Sequence, residues 1–260
     1  MERKNTFNDI ANEYDRFRPN YPDELFTDIV KFAGIGKDAA ILEIGCGTGQ
    51  ATKGFVNDGY ENLTCIELGE NLAKLTREKF KDKTNVKIIN TDFETWRDES
   101  SDFDLAISGT AFHFIQPQEI GYRKVYNLLN EQGSIAFFWT VHVPSYDDVF
   151  NKIRDSYKRY APQVDDSKNP SIEQIITERS HLTLKDGLFK ELEVIQYRWS
   201  DTYTANEYIS LLNTNSRHQL LPEGVRFKLF REINEAIEEC GGTVIKPQAV
   251  VLYLARKNPQ

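Results

Sequence analysis

The run Ile41-Leu42-Glu43-Ile44-Gly45-Cys46-Gly47-Thr48-Gly49-Gln50 constrains the fold of this 260-residue chain more than any other feature. A short, mostly apolar segment over 40–44 reads as a buried strand, and the alternate glycines after it read as a turn into a helix. With no Cβ at 45, 47 and 49, the backbone can approach a ligand closely. The first N–H groups of the following helix have no partner within the helix and can face that ligand. A nucleotide-like guest suits such a loop. Dinucleotide-binding chains space their glycines G-x-G-x-x-G, which would put glycine at position 50. That position is Gln50, and the spacing is G-x-G-x-G with Glu43 two residues ahead of Gly45.

The rest of the first half alternates helical and strand patterns. Leu25, Phe26, Ile29 and Phe32 fall at helical spacing between Pro22, suited to a helix start, and Gly34, suited to a stop. Helices expected over 50–57, 70–80 and 118–129 then alternate with strands over 63–66, 86–89, 103–107 and 134–139, which implies βαβ units and a mainly parallel sheet. From residue 146 the character changes. A helix over 146–161 and a short one opening at Asn169-Pro170 interrupt the alternation, and a strand follows over 192–199. Thr204-Ala205-Asn206-Glu207 is a capping-box pattern ahead of Tyr208, Leu211 and Leu212. Pro222 opens a helix with Phe227, Phe230, Ile233 and Ile237 on one face, stopped by Gly241-Gly242, and a last strand is expected over 249–255. The expected organisation is one domain over 1–260, with an N-terminal segment and helix over 1–33 and a helical cap inserted over 145–190.

Composition narrows the partners. Lys and Arg number 32 against 40 Asp and Glu, and the net charge of −8 opposes non-specific attraction to nucleic acid or anionic lipid. The uncharged stretch from Gly133 to Tyr146 is broken by Pro144 and falls short of the roughly 20 apolar residues of a membrane span. No apolar run follows the early basic residues, so the N-terminus does not read as a secretory signal and a cytoplasmic setting is expected. Cys46, Cys65 and Cys240 are read as free thiols. His142, His181 and His218 lack the spacing of helical metal ligands, and no metal is assigned.

The glycine spacing with Glu43 ahead of it resembles motif I of the class I S-adenosylmethionine-dependent methyltransferases. Further residues follow in the order of that family. Glu67 ends the second strand, 18 residues after Gly49. Asp92-Phe93 ends the third strand, and Ser108-Gly109 follows the fourth. The resemblance implies S-adenosylmethionine as cofactor, contacted by Glu43, Gly45, Cys46, Gly47, Gly49, Gln50, Glu67, Leu68, Asp92, Phe93 and Ser108. Glu67 would accept the ribose hydroxyls, Asp92 would meet the adenine amino group and Phe93 the adenine ring. It also implies a Rossmann-like three-layer αβα sandwich on a seven-stranded, mostly parallel sheet whose last strand is antiparallel. Tyr14-Asp15-Arg16-Phe17-Arg18-Pro19-Asn20-Tyr21-Pro22 resembles the Y-x-x-x-R-P-x-Y-P signature of a small-molecule subgroup similar to trans-aconitate methyltransferase. On that resemblance Tyr14 and Arg18 are expected to close over the cofactor, Arg18 toward its carboxylate.

The implied reaction is in-line methyl transfer to a small-molecule acceptor. His113, just after the fourth strand, is a candidate base or acceptor contact, and Trp139, Arg217 and His218 are candidates for the acceptor pocket. A nicotinamide-dependent oxidoreductase and a non-catalytic module that binds S-adenosylmethionine are the alternative readings. If Asp92 reads the adenine amine, Asp92→Ala is expected to weaken S-adenosylmethionine more than its inosine analogue in calorimetric titrations. Equal losses would count against that role.

Overall fold

A computed structural model describes residues 8–97, 102–164 and 169–259. Residues 1–7 of the expected N-terminal segment and 165–168 of the expected cap lie outside the described residues. The strands are β1 (Ile41–Ile44), β2 (Leu63–Glu67), β3 (Val86–Asn90), β4 (Phe103–Gly109), β5 (Leu129–Val141), β6 (Phe189–Thr204) and β7 (Thr243–Lys257). They form one sheet in the order β3-β2-β1-β4-β5-β7-β6. β1 runs parallel to both β2 and β4, β3 parallel to β2, and β5 parallel to β4. β7 is antiparallel, so the Rossmann-like expectation is met.

The helices are α1 (Ala11–Phe17), α2 (Asp23–Ala33), α3 (Gln50–Asn57), α4 (Glu70–Lys79), α5 (Gln118–Leu128), α6 (Asp148–Tyr160), α7 (Ile172–Leu184), α8 (Ala205–Asn213), α9 (Ser216–Gln219) and α10 (Glu223–Glu239). The chain divides into two compact units. One holds residues 20–140, 171–197 and 250–260, and with them most of the sheet and α2, α3, α4, α5 and α7. The other holds residues 1–19, 141–170 and 198–249, where Val149, Ile153, Tyr208, Leu211, Leu229, Ile233 and Ile237 form a buried apolar cluster. The two helices expected in a single inserted cap are therefore divided, α6 to the second of these units and α7 to the first.

β1 sits at the centre of the sheet with all four side chains buried, which explains a strand without polar alternation. β5 starts earlier than its apolar run because Phe103 pairs Leu129 while Leu105 pairs Ser134, so residues 130–133 bulge out of the ladder. β6 continues past 199 at the sheet edge. Its charged residues, among them Lys190, Glu193, Arg198 and Asp201, suit an edge that must not pair with another chain. β7 likewise extends on both sides of the expected 249–255. In α10 the buried face is Leu229, Ile233, Ala236 and Ile237, while Phe227, expected on that face, is 66% exposed. The helical period places 229, 233, 236 and 237 on one stripe and leaves 227 off it.

Caps expected from sequence are present. The Thr204 hydroxyl accepts from the Glu207 N–H, and the Glu207 carboxylate accepts from the Thr204 N–H at 2.9 Å. A second capping box joins Ser171 and Gln174 at the start of α7. Thr204→Ala is expected to cost about 1 kcal/mol in chemical denaturation, with Thr204→Ser retaining most of the stability. An unchanged midpoint for Thr204→Ala would show that the cap does not hold α8.

Candidate functional site

The end of β1 opens directly into the glycine loop, and Gly45, Gly47 and Gly49 all take left-handed backbone conformations, with φ of 73°, 58° and 84°. Residues with a Cβ are strained there, so the loop needs glycine for its path as well as for access. A Cβ on Gly45 would lie 2.4 Å from that of Ala111, which brings the connection after β4 against the glycine loop. Gly49 is the N-cap of α3.

Glu67 closes the loop from the neighbouring strand. One of its carboxylate oxygens accepts from the Gly47 N–H at 2.8 Å and the other from the Gly69 N–H at 2.7 Å. A carboxylate has about four lone-pair sites, and with the Leu68 N–H also acting on it part of that capacity remains for the hydroxyls of a ribose. Burial pushes its pKa up, against the pull of the backbone N–H groups. Leu68, the next residue, is 37% exposed, an apolar surface beside that acid. The loop's carbonyls are held from α4, where the Thr76 hydroxyl donates to Gly47 O at 2.8 Å and Lys79 Nζ to Thr48 O at 2.7 Å. Gln50 Nε2 donates to the Thr48 hydroxyl at 2.7 Å.

Glu43 and Cys46 lie beneath this surface. The Glu43 carboxyl is buried and accepts from the Thr52 hydroxyl at 2.6 Å. Burial raises its pKa to about 7, and the charge of Glu67 adds to the effect. The Cys46 thiol is buried against Cys65, and that contact, with burial, pushes it well above the usual thiol range, so it is no nucleophile.

At the end of β3, Asp92 Oδ1 accepts from the Glu94 N–H at 2.8 Å, an Asx turn that orders the 92–96 segment. Phe93 is buried, with Lys124 Nζ 4.6 Å from its ring centre. The same ammonium donates to Phe93 O, to Trp96 O at 2.5 Å and to Glu94 O at 3.4 Å. Ser108, expected at the cofactor, is fully buried and donates to Ile44 O at 2.8 Å. Its side chain ties β4 to β1 at the root of the loop. Thr110, the next residue but one, takes a left-handed φ of 56° without being glycine, and its hydroxyl bonds Tyr21 and the Thr140 N–H.

His113 follows on a single turn of 3-10 helix. The Trp139 indole N–H donates to its Nδ1 at 3.2 Å, which leaves the ring proton of neutral His113 on Nε2. In this arrangement neither nitrogen offers a lone pair to an acceptor's proton, so the geometry favours donation over a general-base role. Trp139 itself is 3% exposed.

Tyr14, Arg18, Arg217 and His218 belong to the other compact unit. Arg18 donates to Thr214 O at 2.9 Å and stacks on the Tyr14 ring at 5.0 Å. His218 is buried with Nε2 2.7 Å from the Tyr157 hydroxyl, whereas Arg217 is exposed and donates to Asn169 at 3.2 Å.

Sequence reasoning missed Tyr21, Thr76, Lys79, Thr110 and Lys124. Tyr21 lay within a quoted signature, but nothing in the local pattern signalled the other four.

Residues 41–133 match the family described as "Methyltransferase domain". A malonyl-[acyl-carrier protein] O-methyltransferase of Paenibacillus sp. (strain JDR-2) is 31% identical over 121 residues, 44% of this chain and 44% of that protein. An uncharacterized methyltransferase-like protein of Schizosaccharomyces pombe is 24% identical over 88% of this chain and 85% of its own. Among solved structures, the Haemonchus contortus phosphoethanolamine N-methyltransferase 2, in complex with phosphomonomethylethanolamine and S-adenosylhomocysteine, aligns with a TM-score of 0.59 at 15% identity. That alignment covers 100% of this chain and 61% of the other. Residues 41–133 of this chain thus resemble a methyltransferase domain. The match to the Paenibacillus relative spans less than half of that protein's length.

Glu43 gives a pH signature. Between the ordinary carboxylate pKa of 4.5 and the raised value of about 7, the unfolded chain loses this proton while the folded chain keeps it. Stability from this group is therefore lost as pH rises through that window, by roughly 3 kcal/mol at most. Glu43→Gln is expected to stabilise the protein at pH 8 and to give little gain near pH 4 in denaturant titrations. A gain independent of pH would show that folding does not shift the pKa of Glu43.

Proposed function

We propose that the protein transfers the methyl group of S-adenosylmethionine to a nucleophile on a small-molecule acceptor. The observation that carries this reading is the set of three left-handed glycines bound, through the Gly47 N–H, to the acidic residue that ends the next strand. The residues fit the cofactor. Glu67 keeps acceptor capacity for ribose hydroxyls, Asp92 and Leu68 stand at the ends of adjacent strands for adenine, and the glycine loop admits the amino-acid portion. When bound, S-adenosylmethionine supplies a methyl group already activated by the positive sulfur. The chain's own contribution is placement, because alignment and exclusion of water supply much of the rate of a displacement and a dedicated base is optional.

A small acceptor is supported by the net charge of −8, which opposes a polyanionic substrate, and by the 14–22 signature resembling the trans-aconitate methyltransferase subgroup. No helix among the described residues is long and apolar enough to cross a membrane, and a cytoplasmic setting fits the cysteine usage. Binding of S-adenosylmethionine without transfer is the second reading, since the same binding residues would serve it.

Incubation with methyl-labelled S-adenosylmethionine and a panel of carboxylic acids, phenols, amines and thiols is expected to label at least one acceptor and to release S-adenosylhomocysteine. Glu67→Ala removes two charge-assisted acceptor sites at about 1.5–3 kcal/mol each before water replaces them, so cofactor affinity is expected to fall at least about tenfold with the fold intact. Unchanged affinity would remove Glu67 from the site.

A further inference from the structure

One side chain that the proposed site leaves unexplained is Arg179, on α7. Its guanidinium lies 3.8 Å from the centre of the Trp139 ring. Its Nε is buried and has no hydrogen-bond partner among the described residues. Stacking on an indole uses the face of a guanidinium and leaves its N–H donors, which lie in the plane, unspent. The neighbouring phenols do not satisfy them. The Tyr122 hydroxyl is engaged with Thr183 at 3.1 Å, and the Tyr253 hydroxyl donates to Ile175 O at 3.5 Å. Burial works against this charge and draws the pKa down, while Glu178 and the two phenols favour the charged form without hydrogen-bonding Nε. A guanidinium held this way has the geometry of a receptor for an oxyanion, which would bond the idle edge while the indole holds the face.

The location gives the oxyanion a role. Trp139 lies near the carboxyl end of β5, and its indole N–H bonds His113, just beyond the end of β4. The carboxyl ends of strands are where open α/β sheets bind ligands. Ala111, on the same connection as His113, is the residue a Cβ on Gly45 would strike. Arg179, Trp139 and His113 thus form a chain of contacts leading back to the glycine loop within one compact unit.

We propose that Arg179, held by Trp139, binds an anionic group of the methyl acceptor, a carboxylate or a phosphate. The identity of the ligand as the acceptor rests on the methyltransferase reading; the anion site itself does not. Trp139→Phe would remove the bond to His113 and is used to assign the indole resonance.

The test is a titration of the full chain, with and without S-adenosylhomocysteine, with succinate and separately with inorganic phosphate. The Trp139 indole N–H is followed by ¹⁵N-resolved NMR against potassium chloride of equal ionic strength. The expected result is a saturable shift with at least one of the two anions, weakened about tenfold or more in Arg179→Met. A response to succinate alone assigns a carboxylate, to phosphate alone a phosphoryl group, and to both a site for either. No saturable shift beyond the chloride control, or an undiminished one in Arg179→Met, overturns the proposal. If Arg179→Met does not fold, Arg179→Lys carries the test, because it keeps charge and stem but loses the planar fork. It too is expected to weaken the response, and an unchanged response overturns the site. Calorimetry with S-adenosylhomocysteine keeps the two readings apart. An Arg179-dependent anion response without cofactor binding would sink the methyltransferase reading and leave the anion site standing.

Discussion

Glu67 accepts hydrogen bonds from the amides of Gly47 and Gly69, one on each carboxylate oxygen. This links the loop after β1 to the turn after β2 and sets the shape of the surface between them. The loop's carbonyls are pinned from the other direction, by the Thr76 hydroxyl and the Lys79 ammonium of α4. With amides and carbonyls both engaged, three glycines in left-handed conformations form a defined surface instead of a flexible turn. The conformational entropy of that loop is lost on folding, so the proposed cofactor would meet a surface already arranged.

The buried acids beneath the loop divide their labour through electrostatics. Glu67 adds to the cost of charging Glu43, and Glu43, with a hydroxyl and a thiol as its side-chain partners among the described residues, is pushed up to about 7, chiefly by burial. Glu67 has the backbone N–H groups of Gly69, Gly47 and Leu68, which favour its charged form against burial. Burial raises both acids, and the backbone N–H groups offset it at Glu67.

Local chemistry made much of this legible. The G-x-G-x-G spacing, the alternation of helix and strand, and the acids at 67 and 92 follow from short-range patterns, and the structure brings the ends of β1, β2 and β4 together at the loop. What could not be read depends on packing. Thr76 and Lys79 are ordinary helix residues until α4 lies beside the loop. Ser108 reads as a strand-end hydroxyl, yet its partner is a main-chain carbonyl 64 residues earlier. His113, Trp139 and Arg179 come from three different elements, and no spacing in the sequence joins them. The full length of β6 was hidden by polar residues that the sheet edge tolerates, and that of β7, between β5 and β6, by the polar residues at its two ends.

The central claim, that this loop is built for S-adenosylmethionine, is tested most directly by calorimetric titration of the unmodified chain with S-adenosylhomocysteine and, separately, with NADH. The account requires saturable one-to-one binding of S-adenosylhomocysteine and no binding of NADH. Saturable NADH binding with no response to S-adenosylhomocysteine would contradict it.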